Sequence, residues 1–280
     1  MRKVVDSNYL RKPEFREYLS KSKANVAVLT DYAAMEAYKG DTLVGIYNSM
    51  SVFAEFPEQV IILKNTLVTC GLNGRGDGLQ KRLIDTSQTK QFRLYCERLA
   101  AAKAGNTALQ RQLLDLGQEA TRHLERMLSD AEVLPTVIED IARAHTNDEL
   151  RILRTRELYS DEMVKKLMTA VLHTAATMFE GHPSVRAWPD REDLPNTFIF
   201  RAALCAYLLT LDWISIGGAK AARGANVTTI RNDMVDVNFA AYATFFDGLL
   251  SSDEKVQRIH AEARVFLAAV FGCHISGANL

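Results

Sequence analysis

Three short β-branched runs alternate with helical segments before residue 66. They are Lys3-Val-Val ahead of Asp6, Asn25-Val-Ala-Val-Leu-Thr30, and Gln59-Val-Ile-Ile-Leu63. Pro13 sits where a helix begins, and Glu14 to Ser20 continues it with Phe15, Tyr18 and Leu19 on one side. Thr30-Asp31 offers N-cap oxygens for a helix through Tyr38 that ends at Gly40. Asp41 is placed to cap the next helix, whose apolar positions Leu43, Ile46, Met50, Phe53 and Phe56 recur at helical spacing up to Pro57. Strands separated by helices predict a parallel sheet covered on both faces, with right-handed connections. Ligand sites of such sheets gather at the carboxyl ends of the strands.

The far end of the chain adds to that edge. Arg231 to Asp253 reads as a helix opening with Asp233 and Asp236, a turn at Asp247-Gly248, and a short apolar strand, Leu249-Leu250, ending at Asp253. Two acids three apart on a helix lie on neighbouring faces and can point the same way. Asp6 and Asp253 each follow a strand, and Glu36 lies inside the helix after the second one. Separate segments therefore bring acids toward one edge.

The middle is different in kind. From about Asp77 to Arg223 the pattern is helical, with stripes such as Leu113, Leu116, Leu124 and Leu128, or Met163, Leu167, Val171 and Ala175. The expected organisation is an α/β core from residues 1–66 and 226–280, interrupted by an all-α insertion, 67–225. Gly71-Leu-Asn-Gly-Arg-Gly-Asp-Gly78 lacks the Gly-Lys-Ser/Thr ending of a phosphate-binding loop and reads as a flexible linker.

Composition narrows function less. With 34 basic and 34 acidic residues, a nucleic-acid contact must come from local patches. Cys70, Cys96, Cys205 and Cys273 form no close pair, which fits buried thiols in a reducing, cytoplasmic setting. Phe198 to Ile216 is apolar, yet it carries Arg201 and Asp212, so it reads as a buried core helix rather than a membrane span.

Four carboxylates in a small space repel one another unless a divalent cation sits among them. Oxygen-only donors favour Mg²⁺ or Mn²⁺ over zinc. The chemistry suited to such a centre is phosphodiester hydrolysis, in which two ions about 3.5–4 Å apart activate water and stabilise the leaving oxygen. Each acid also has a plainer reading: Asp6 as a turn residue, Glu36 as a solvated helix position, Asp233 as a helix cap, Asp253 as the N-cap of the last helix.

The same segments resemble the PIN-domain nuclease family. Asp6-Ser-Asn-Tyr-Leu10 is similar to its opening Asp-Thr-Asn-x-Leu, and Val28-Leu-Thr with Glu36 to its second strand and helix-borne Glu. Asp236-Val-Asn-Phe-Ala-Ala-Tyr-Ala243 is similar to its Asp-x-x-Ile-Ala-Ala-x-Ala helix, and Leu249-Leu-Ser-Ser-Asp253 to its closing Leu-Val-Thr-x-Asp. The resemblance implies a three-layer α/β/α sandwich and Mg²⁺- or Mn²⁺-dependent cleavage of RNA, less often DNA. Asp6, Glu36, Asp236 and Asp253 would be catalytic, with Asp233 a further possible metal ligand and Asn8 and Ser251 in support. Two departures stand out: the helical middle replaces a short connection, and Asn232-Asp233-x-x-Asp236 offers two acids where the simplest pattern needs one.

The leading expectation is a cytoplasmic endoribonuclease of toxin-like or defence type, with no membrane association and with room for a homo-oligomer or a regulatory protein partner. A flap-type DNase and a non-catalytic binding module are the alternatives. Lys220, Arg223 and Arg231, set among Gly217, Gly218 and Gly224, form an expected mobile basic loop for substrate phosphates; Arg151, Arg154 and Arg156 form a second patch. Arg201 is expected either to reach a substrate phosphate or an acid of the site, or to form an ion pair within the helical middle.

Overall fold

The computed structural model describes residues 1–39, 42–126, 133–185 and 187–272. The expected strands β1 (Arg2–Val5), β2 (Val26–Leu29), β3 (Val60–Ile62) and β4 (Gly248–Leu250) form one sheet of order β3-β2-β1-β4. Every pairing is parallel, with Lys3 opposite Ala27 on one side and Gly248 on the other. The first and last strands of the chain are thus neighbours. Asp247 secures them: its carboxylate accepts the Arg2 amide at 2.6 Å, and its own amide donates to the Arg2 carbonyl at 2.8 Å. Gly248 follows at φ +146°, a conformation that side chains disfavour.

Helix α1 (Pro13–Ser20) begins at its proline, and Thr30 caps α2 (Asp31–Tyr38) by accepting from the Ala33 amide. Helix α3 (Leu43–Glu55) is capped by Thr42, whose hydroxyl reaches the Gly45 amide. Thr42 directly precedes the first helical residue and so takes the role expected of Asp41. Gly40 and Asp41 themselves lie outside the described residues, as does Cys273, whereas Cys70, Cys96 and Cys205 are free and buried.

The middle is helical: α4 (Thr66–Cys70), α5 (Leu79–Leu83), α6 (Thr86–Lys103), α7 (Thr107–Arg126), α8 (Leu134–Arg143), α9 (Asn147–Thr155), α10 (Asp161–Gly181), α11 (Phe198–Ser215) and α12 (Gly218–Gly224). It shares its interior with the sheet. Helix α6 packs on β3 and α3, α7 packs on α2, and buried Val4, Phe53, Phe92, Leu167 and Leu204 belong to one core. Edge-to-face rings Phe15–Phe53 and Phe53–Phe92, with centroids 5.2 and 6.0 Å apart, tie α1 and α3 to α6. Such pairs add about 0.5–1.5 kcal/mol each beyond the area they bury.

The apolar run is the buried helix α11, long and apolar enough to cross a membrane but with 83% of that window inside the protein. The glycine-rich segment 71–78 is a packed turn rather than a flexible linker. A side chain at Gly74 would stand 1.9 Å from the Asp193 carbonyl oxygen, and the Arg82 guanidinium donates to the Asp77 carbonyl at 2.5 Å. The last two helices are α13 (Val227–Ala243), capped by Asn226, and α14 (Glu254–Phe271). Helix α13 starts earlier than the sequence indicates, so Asp233 and Asp236 lie inside it rather than at its opening.

Candidate metal centre

Asp6 directly follows β1, and its amide donates to the Leu250 carbonyl at 2.9 Å, which holds the ends of β1 and β4 together. Asp6 is fully buried. Its carboxylate accepts from the Asn8 side-chain amide at 2.6 Å and from the Ser251 hydroxyl at 2.5 Å. Asn8 then accepts the Ser252 amide at 2.9 Å, so this one side chain clamps the turn after β1 to the turn after β4. Both supporting residues expected from the sequence therefore touch Asp6 or its clamp. The Ser7 hydroxyl donates to Glu36 on α2.

One carboxylate oxygen from each of Asp6, Glu36 and Asp236 lies within 4.8 Å of the other two. Ligand oxygens about 2.1 Å from a Mg²⁺ ion stand about 3–4 Å apart, so small side-chain rotations would close this set around one ion. The donors are all hard oxygens, from the turn after β1, from α2 and from α13, which fits Mg²⁺ or Mn²⁺.

The electrostatics agree with that donor set. Burial raises Asp6 to about 6, with the Ser251 and Asn8 hydrogen bonds opposing and the Glu36 and Asp253 charges reinforcing. Burial raises Asp236 to about 9, and the charges of Asp6, Glu36, Asp253 and Asp233 add to it. At about 9, Asp236 is protonated at neutral pH, and a divalent ion held there would have to displace that proton.

The remaining acids have other partners. Asp253 is the N-cap of α14, accepting the Lys255 and Val256 amides at 2.7 and 3.1 Å, while its charge still reaches Asp6 and Asp236. Asp233 binds the Lys255 ammonium through both oxygens at 2.7 Å. Three residues along a helix turn the side chain about 60° away, so only Asp236 of this pair faces Asp6 and Glu36.

The expected basic contacts are redistributed. Arg201 has 0% exposure; its guanidinium donates to the Pro195 carbonyl at 2.8 Å, the Thr244 carbonyl at 2.8 Å and the Asn196 side-chain oxygen at 3.1 Å. It lies 3.7 Å over the Phe245 ring, and burial lowers it to about 9. Sealed in the core, it does not present itself to a substrate. Asp212 pairs with Arg258 at 2.6 Å and Arg156 at 3.3 Å. The expected mobile loop is α12, which packs on α8; there Lys220 is exposed and Arg223 binds Glu139 at 2.5 Å. Arg231 is 6% exposed and rests on Asn232, so it is no part of a solvent-facing patch. In the second patch Arg151 is engaged by Glu157 at 2.8 Å.

A groove of about 1300 Å³ opens beside α2, bordered by Leu29 and Ile62 at the carboxyl ends of β2 and β3. Leu94 and Leu116 are exposed in it, and Arg98 and Arg122 line it. The sequence reading missed this groove, the Ser7–Glu36 bond and Lys255. The signal available for Lys255 was its position two residues after Asp253. Comparisons with protein-family models, curated proteins and solved structures find no match to this chain.

Proposed function

We propose that the chain is a divalent-metal-dependent nuclease with a PIN-like three-layer core, and that RNA is its substrate in preference to DNA. The observation that carries this reading is the approach of Asp6, Glu36 and Asp236 from three separate elements to within one ion's reach. A Mg²⁺ or Mn²⁺ ion held there would supply an activated water and charge stabilisation for in-line phosphodiester hydrolysis. Asn8 and Ser251 orient Asp6, and Ser7 orients Glu36. We assign the groove beside α2 to an unpaired strand: the three acids are not in its lining, but its apolar side chains suit exposed bases, and Arg98 and Arg122 suit phosphates beside Glu119 and Glu125.

The test is incubation with labelled single-stranded RNA, single-stranded DNA and branched DNA, each with Mn²⁺ and with chelator. Cleavage of the RNA only with Mn²⁺ supports the proposal. Cleavage confined to branched DNA favours the flap-type alternative. No metal-dependent cleavage of any substrate by folded protein, together with undiminished RNA binding, favours the binding module.

A further inference from the structure

The acids around the candidate centre fall into two groups with different counter-charges. Asp6, Glu36 and Asp236 converge on one another and have no basic side chain bonded to them among the described residues. Asp233, one turn before Asp236, instead holds the Lys255 ammonium at 2.7 Å from each carboxylate oxygen. Lys255 follows the cap residue Asp253 on α14, and its ammonium lies 5.3 Å from the centre of the Trp213 ring. The charge of Asp253 acts on Asp6, Asp233 and Asp236 alike, so both groups belong to one electrostatic unit.

Resting on the metal-nuclease reading above, we propose that Lys255 fills the place of a second cation, so that the centre takes one divalent ion rather than two. The argument is one of charge and space. A carboxylate that already holds an ammonium 2.7 Å from each oxygen has its charge compensated and one lone pair of each oxygen in use, so a second divalent ion there would have to displace Lys255 or sit against a like charge. The aromatic face of Trp213 gives the ammonium a further favourable contact, which holds Lys255 against displacement. Asp253 spends the lone pairs of one oxygen on two helix amides and is likewise a poor bridge between two ions. Lys255 is accordingly a positioning residue: it keeps Asp233 out of the metal's coordination and leaves Asp236 as the α13 ligand.

The test is the stoichiometry of Mn²⁺ binding, followed by calorimetry and by the loss of the free-ion electron paramagnetic resonance signal. It uses the full chain as wild type, Lys255→Met, Lys255→Arg and the double variant Asp233→Asn with Lys255→Met. The expected counts are one ion for wild type, for Lys255→Arg and for the double variant. For Lys255→Met the count is two, because Asp233 is then free to bind. The double variant removes the Asp233 charge as well, so an ion gained in Lys255→Met and absent there is assigned to Asp233; Lys255→Gln, which keeps a polar partner for Asp233, takes the place of Lys255→Met should that variant unfold, with the same expected count of two. Two ions bound by wild type would overturn the role of Lys255 while leaving the metal centre standing. No ion bound by wild type would overturn the metal centre itself. One ion in a folded Lys255→Met variant, at unchanged affinity, would also overturn the role given to Lys255.

Discussion

Asp6, Glu36 and Asp236 converge on one another, whereas Asp233 is bound by the Lys255 ammonium and Asp253 caps α14. Asp6→Asn, Glu36→Gln and Asp236→Asn should each lower metal-dependent cleavage by more than about 100-fold while the circular dichroism spectrum is kept. Asp253→Asn should lose less, because asparagine still caps α14 and only the charge is removed. Full activity in any two of the first three variants contradicts the assignment. Arg201 belongs to the opposite class. Arg201→Met leaves the Pro195 and Thr244 carbonyls and the Asn196 side chain short of a donor, and should cost about 3 kcal/mol in urea unfolding. Cleavage per folded molecule should not change; a selective loss of substrate affinity would return Arg201 to the site.

Among elements, α2 has the most demanding task, because a helix of only eight residues carries Glu36 to the cluster. Its start is set by the Thr30 hydroxyl on the Ala33 amide at 3.1 Å. Thr30→Ala should therefore cost about 1 kcal/mol in urea unfolding, and Thr30→Ser should recover most of it. If the alanine variant matches wild type, the cap is not what anchors this helix. The strands, α1 and α2 are legible in the sequence because their signals are local: β-branched runs, a proline at the start of α1 and a cap at the start of α2. Helix α13 was read short because Val227-Thr-Thr-Ile230 has weak helix propensity, and the packing of α13 against α11 and α14 overrides it. The Asp233–Lys255 pair joins two helices through residues 22 apart in the chain, and no local pattern records which face of each meets the other. Arg201 shows the same limit, since periodicity finds the helix but not the carbonyls at its far side.

At the scale of the whole molecule, one core holds the sheet and the helical middle together, so charge trapped at the sheet edge bears on global stability. Asp6 and Asp236 have folded values, about 6 and about 9, above the roughly 3.9 of an unfolded aspartate. They favour the folded state at low pH, and that contribution is lost as pH rises from about 4 through 6 toward 9. In chelator, thermal stability should thus fall across this range; in Mn²⁺ the fall should be reversed, because the ion binds the ionised carboxylates of the folded state only. A melting temperature indifferent to Mn²⁺ at pH 8 contradicts a formed centre. The central claim is tested most directly by anomalous diffraction at the manganese edge from crystals grown in Mn²⁺. The account predicts a peak bounded by the carboxylates of Asp6, Glu36 and Asp236, with Asp233 still on Lys255; a map with no peak among those three side chains at millimolar Mn²⁺ would contradict it.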